Sequence, residues 1–191
     1  MYETLRHYIN KYASTEISDE DFEEIKIKFI PKHYGKKEYL LQEGEICKYA
    51  IFIVKGAVKQ YSIDNKGIEH VINLGTENWW VGDRQSFTML TPSPYNITAV
   101  EDTDVLLLNK QNFDELVTTT VFSIVFRNMD YSNQVATQKR INSSISLTAE
   151  ERYQQLADTN PSLLQRFPQS MIASYLGVSP ETISRIRNKA K

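Results

Sequence analysis

Several kinds of function require residues that this chain has few of. Its 191 residues hold one cysteine, Cys47, and three widely separated histidines, His7, His33 and His70. A lone cysteine forms no internal disulfide, and no Cys/His group stands at metal-ligand spacing, a usage that suits a reducing, cytoplasmic setting. An iron–sulfur cluster held by several cysteines of one subunit is excluded on the same count. No apolar run reaches the roughly 18–20 residues that span a bilayer, and the opening MYETLRH has no signal-peptide pattern. Positive charge is not in excess: the formal net charge is −2, with a pI near 6.0, which argues against a protein that coats nucleic acid without selection. Nucleophile elbow, P-loop and paired catalytic carboxylates are all missing, so no catalytic residue and no metal ligand is assigned and no enzyme activity is expected.

What the chain does have is concentrated at its C-terminal end. Residues 169–188, QSMIASYLGVSPETISRIRN, carry the spacing of a helix-turn-helix. Ile172, Ala173 and Leu176 share one face of a first helix. Gly177 supplies the positive φ that ends it. Val178 fills the corner, Ser179 caps the next helix and Pro180 suits its first position. Ile183 and Ile186 then face back onto the first helix, and Ala173 is small where the two must cross. The outward face carries Glu181, Thr182, Ser184, Arg185 and Lys189. Arg can bind guanine O6 and N7 together, and Glu can accept from cytosine N4. Residues 165–191 hold five cations against Glu181, a net +4, which leaves −6 for the first 164 residues. A basic end on an acidic body suggests a localised polyanion site. An ordinary helical hairpin with a solvated face would share the apolar spacing, but not the joint match of glycine, cap, proline and outward arginine.

The remainder divides by periodicity. Residues 2–29 predict two helices, the second capped at Ser18 and stopped before Pro31. Between 36 and 109, short β-rich runs (38–41, 50–54, 57–63, 69–74, 97–100 and 105–108) alternate with turns at 43–45, 55–56, 64–67 and 91–94, the pattern of an antiparallel sandwich, barrel or roll. The turn Asp64–Gly67 is the clearest hairpin. A short helix near 112–117 leads into a long one from about Val121. Val121, Ile124, Tyr131, Val135 and Ile145 form a heptad-like seam interrupted by Asn128, Gln138 and Asn142, readable either as packing on the chain's own β domain or as a dimer helix whose polar positions fix register. Thr148-Ala-Glu-Glu151 is a capping box that opens a further helix. The expected units are therefore 1–120, 121–146 and 147–191.

A β-roll, a long helix and a terminal helix-turn-helix, in that order, resemble the Crp/Fnr family of bacterial transcription regulators. Gly177-Val-Ser-Pro-Glu-Thr-Ile-Ser-Arg185 is similar to that family's recognition-helix signature, and Gly44, Phe52, Lys55-Gly56, Gly67 and Val81-Gly82-Asp83 match its β segment. The resemblance implies an α+β fold: an N-terminal antiparallel β-roll or jelly roll of cyclic-nucleotide-binding type, a long dimerisation helix and a small winged helix-turn-helix. It implies a homodimer on a pseudo-palindromic operator of double-stranded DNA, with RNA polymerase as a further partner in such regulators. By position, Glu181 and Arg185 would read base edges, while Gln169, Ser170, Ser179 and Thr182 would touch the DNA backbone, where helix N-terminal amides help. Pro180 stands where the family often has another Arg, so one expected contact is missing.

The effector site departs from the family pattern. Cyclic-nucleotide-binding members carry a Gly-Glu-Leu segment and, about ten residues on, an Arg-Ser pair whose Arg neutralises the phosphate. Here the first reads Gly82-Asp83-Arg84 and the second falls in Pro92-Ser-Pro-Tyr-Asn-Ile97, without an Arg. A buried phosphate lacking a cation is costly, which argues against cAMP; Arg84 would have to substitute from another side. The expected pocket is Trp80, Gly82, Asp83 and Arg84, for an unidentified effector or none. Adjacent Trp79 and Trp80 cannot face the same side of a strand. The alternative from another class is a cupin-like small-molecule- or metal-binding protein with an incidental helical tail, which needs His-x-His and further ligands that the three separated histidines do not supply.

Overall fold

The computed structural model describes residues 1–13 and 15–189; Lys191, counted above in the basic end, lies outside them. In chain order the elements are α1 (Tyr2–Ala13), α2 (Asp19–Lys26), β1 (Ile30–Tyr34), β2 (Tyr39–Leu41), β3 (Tyr49–Lys55), β4 (Val58–Ile63), β5 (Glu69–Gly75), β6 (Trp80–Val81), α3 (Arg84–Met89), β7 (Asn96–Ala99), β8 (Thr103–Asn109), α4 (Lys110–Leu116), α5 (Thr120–Ser146), α6 (Ala149–Thr159), α7 (Pro161–Arg166), α8 (Gln169–Leu176) and α9 (Pro180–Lys189). This is an α+β arrangement with an antiparallel roll, a 27-residue helix and terminal helices. Among the described residues, 147–189 contain no strand, so the wing expected beside the helix-turn-helix is not formed; a fourth short helix, α7, stands in that segment.

Two four-stranded antiparallel sheets, β1-β8-β3-β6 and β2-β7-β4-β5, form the roll. The first is buried on both faces because its central strands carry unbroken apolar runs, Ala50–Val54 in β3 and Val105–Leu108 in β8. Ile51, Ile53, Val105 and Leu107 point into the roll interior with Val58, Val81 and Ile97. Phe52, Leu106 and Leu108 point outward and are covered by Leu5, Tyr8 and Ile9 of α1, Phe22 and Ile25 of α2, and Phe122 and Val125 of α5. The register Ile51↔Leu107 and Phe52↔Leu106 keeps the two sets apart. Period-2 alternation of this kind turns a continuous apolar run into two cores. Trp79, just before β6, packs with the interior set, and Trp80, its first residue, with the helix-covered set. Gly56 turns β3 into β4 at φ +110°, and a Cβ there would lie 2.6 Å from the Thr103 Cα, so only glycine fits.

The outer side of the second sheet meets the terminal helices. Ala57, Val71 and Leu74 share a cluster with Leu156, Leu163, Phe167 and Ile172. Strand β5 is an edge, and α8 covers it: the Val71 amide donates to Ser174 Oγ at 2.9 Å. Arg166 on α7 forms ion pairs with Glu77 and Glu101, both from the roll. Burial alone would raise the Glu77 carboxyl, but Arg166 and the Gly56 amide outweigh it and hold that group below the usual carboxylate range.

Candidate nucleic-acid interface and sensor cavity

The helix-turn-helix is assembled by local rules. Ala173 is fully buried against Ile183 and Ile186, with Leu176, Val178 and Tyr153 around them. Gly177 takes φ +66° at the end of α8, and the Val178 amide donates back to the Ala173 carbonyl at 3.0 Å. Ser179 caps α9: its hydroxyl accepts from the Thr182 amide at 3.3 Å and lies 3.2 Å from the Thr182 hydroxyl. With Ile183 and Ile186 turned inward, Glu181, Ser184, Arg185, Asn188 and Lys189 are left exposed on α9.

The predicted contact residues fall into two groups. Ser170, Ser179, Glu181, Arg185 and Lys189 are exposed, while Gln169 and Thr182 are half-buried. Gln169 donates to the Pro180 carbonyl at 3.2 Å, tying the start of α8 to the start of α9. Arg185 reaches Thr182 Oγ1 at 3.4 Å, which aligns the guanidinium along the helix face. Ser179 and the backbone amide hold Glu181 below the usual carboxylate range, so it is an acceptor at neutral pH. Lys189 lies 3.7 Å from Glu150 of α6, an exposed pair of little energetic weight.

Gly82, Asp83 and Arg84 lie between β6 and α3, but they do not form a cradle for an anion. Asp83 is buried and caps α3, accepting from the Gln85 and Ser86 amides at 3.0 and 3.3 Å. The amides that could hold a phosphate oxygen already serve this carboxylate. Arg84 turns outward, pairs with Asp130 of α5 and stacks over Phe126 at 6.0 Å. The buried polar residues among those described include no Lys or Arg. A cyclic phosphate beside Gly82 would meet a carboxylate and no buried cation, so the residues present do not fit that group. His33 pairs with Asp104 and His70 with Asp64, far from one another in the sheets, and no cluster of three or more metal-ligating side chains occurs among the described residues.

The comparisons with known proteins agree with this architecture. Residues 31–120 match the family described as "Cyclic nucleotide-binding domain". That segment is similar to the cyclic nucleotide-binding domain family, and the chain shares the overall fold of several solved structures. FixK2 from Bradyrhizobium japonicum superposes with a TM-score of 0.67 at 20% identity, over 84% of this chain and 83% of that one. The c-di-GMP responsive global regulator CLP from Xanthomonas campestris gives 0.66 at 12% identity over 91% of each chain. The catabolite activator protein of Thermus thermophilus gives 0.58 at 18% identity, over 93% of this chain and 85% of that one. No curated protein matches in sequence. No helix among the described residues is long and apolar enough to cross a membrane.

Within the cyclic nucleotide-binding domain and its covering helices, sequence reasoning missed most of the polar and aromatic environment around Gly82. Tyr8 of α1, Phe113 of α4 and Phe126 and Met129 of α5 converge there with Trp80. They are separated by up to 121 positions, so no local spacing announces them. The Arg166 clamp and the Ser174 contact with β5 were missed for the same reason.

Proposed function

We propose that the chain is a sequence-specific, double-stranded-DNA-binding transcription regulator of the Crp/Fnr type. The observation that carries this reading is α9: a capped helix, seated on α8 by Ala173, Ile183 and Ile186, with Glu181 and Arg185 exposed side by side on its outer face. In the major groove, Arg185 would bind a guanine edge with two hydrogen bonds and Glu181 would accept from a cytosine. Gln169, Ser170, Ser179, Thr182 and Lys189 would set register through phosphates and sugars.

The regulator acts as a homodimer. The supporting observation is the second half of α5, where Tyr131 and Ile145 are 69% and 80% exposed and lie on one heptad seam. Pairing there would set two α9 helices on successive major grooves about 34 Å apart, on a pseudo-palindromic operator. A ligand that shifts α5 against the roll would change that separation. RNA polymerase is the further partner this reading allows, and the setting is cytoplasmic.

Selection of bound duplexes from a random pool, using the full chain, tests the proposal. An enriched two-fold site is expected; recovery no better than background would overturn the reading. The cupin-like alternative gains no support from the separated His33 and His70.

A further inference from the structure

A cavity of about 390 Å³ opens at the β6 end of the first sheet, bounded by α1, α3, α4 and α5. Its walls include Tyr8, Trp80, Phe87, Phe113, Phe126 and Met129. An apolar cavity of roughly 150 Å³ already accommodates benzene, so this one has room for a substituted ring. The aromatic walls are fixed by edge contacts: Phe113 meets Phe87 with centroids 5.5 Å apart and Phe126 at 5.1 Å, both near perpendicular.

The polar groups around it narrow the ligand class. The Trp80 indole N–H is buried and makes no hydrogen bond of ordinary geometry, although the Tyr8 hydroxyl is its side-chain neighbour. It can only donate, and an unsatisfied buried donor is costly, so an acceptor beside it would be stabilising. Burial, with neighbouring Tyr12, pushes the Tyr8 phenol up, so it too stays a donor. Anions are disfavoured because Asp83 and Asp130 border the cavity and its one cation, Arg84, is paired with Asp130. A ligand cation would find the face of Phe126 taken by that same guanidinium, Asp130 paired with it, and Asp83 committed to the Gln85 and Ser86 amides.

We propose that this cavity is an effector site for an uncharged aromatic molecule carrying one hydrogen-bond acceptor. The inference rests on the regulator reading for the word effector and deepens it by naming a chemical class. Because α5 supplies one wall from Phe122 to Asn133, a bound ring would brace the helix just before its exposed half.

Three probes of similar size separate the classes: acetophenone, benzoate and benzylammonium. Each is titrated into the full chain labelled with 15N at the indoles, with the two signals assigned by Trp80→Phe. The expected result is a saturable, one-to-one shift of the Trp80 indole resonance with acetophenone, and binding at least tenfold weaker for both charged probes. Phe126→Trp, which fills the cavity, should weaken acetophenone binding at least tenfold; Met129→Phe serves as a second filled variant should the first fail to fold. No saturable shift, equal binding of the three probes, or unchanged binding in a folded filled variant would overturn the proposal. No DNA is present, so failure here is distinct from failure of the duplex selection, which would overturn the regulator reading alone.

Discussion

The two halves of α5 share one helix and have opposite surroundings. From Thr120 to Asp130 it is part of the chain's own core: Phe122 and Val125 are buried, and Asn128 donates to the Tyr12 carbonyl at 2.8 Å. From Tyr131 to Ser146 only Ser143 is buried, and the contacts to the rest of the chain are mainly polar, including Arg140 to the Ile72 carbonyl and Ser143 to Gln155. A 16-residue stretch that is neither amphipathic toward its own domain nor strongly charged gains little from packing within the chain. Most helical stability in proteins comes from tertiary packing. The first half therefore belongs to the fold, and the second half, in the proposed reading, to an association between copies.

The largest expected effect breaks the first half. Phe122→Ala removes a ring that is 3% exposed and should cost about 3–5 kcal/mol of stability in urea unfolding. A loss below about 1 kcal/mol would show that the upper helix is not integral to the core. Next, Tyr131→Lys with Ile145→Lys leaves that core untouched, so the helix content by circular dichroism should not change. The same pair should weaken self-association by about a hundredfold, equivalent to about 3 kcal/mol. Unchanged association would move the partner surface elsewhere.

Smaller effects sharpen the link from helix to DNA. Arg185→Ala should cost about 1–3 kcal/mol per half-site and relax preference at one base in each. In a paired arrangement both halves of the selected site lose definition together, and loss in one half only would contradict the pairing. Smallest is the acid response at the contact between roll and terminal helices. The Glu77 carboxyl is held below its ordinary value by Arg166 and the Gly56 amide, against burial. Its contribution is therefore complete above the unfolded Glu value, roughly pH 4.3, and is lost as pH falls through the lower folded value. Proteolysis between α5 and α6 should rise only in that acid range, and Arg166→Ala should bring the susceptibility to neutral pH.

How much was legible in sequence follows the same division between local and distant. Capping was read correctly because it is local: Ser18 accepts from the Asp21 amide, and Thr148 and Glu151 form the reciprocal box. The helix-turn-helix spacing was visible because Gly177, Ser179, Ile183 and Ile186 act within one short segment. Strand β1 was missed because Pro31 reads as a helix stop and four of its five residues are exposed; as an edge strand it tolerates that proline. Helix α7 was missed because it is only six residues long and Asn160 makes no side-chain capping bond; Pro161 sits at its first turn. The effector region was legible only as Trp80 and the turn Gly82-Asp83-Arg84, all four of which line the cavity. Asp83's use as a cap, the Arg84 pair with Asp130 and the aromatic cavity depend on contacts across the chain that no spacing rule contains.

Sedimentation velocity of the full chain at micromolar concentration tests the central claim most directly. The account predicts a species of twice the 22.1 kDa chain mass, reduced to the single chain by the Tyr131→Lys, Ile145→Lys pair. A wild-type protein that sediments as one chain throughout that range would contradict it.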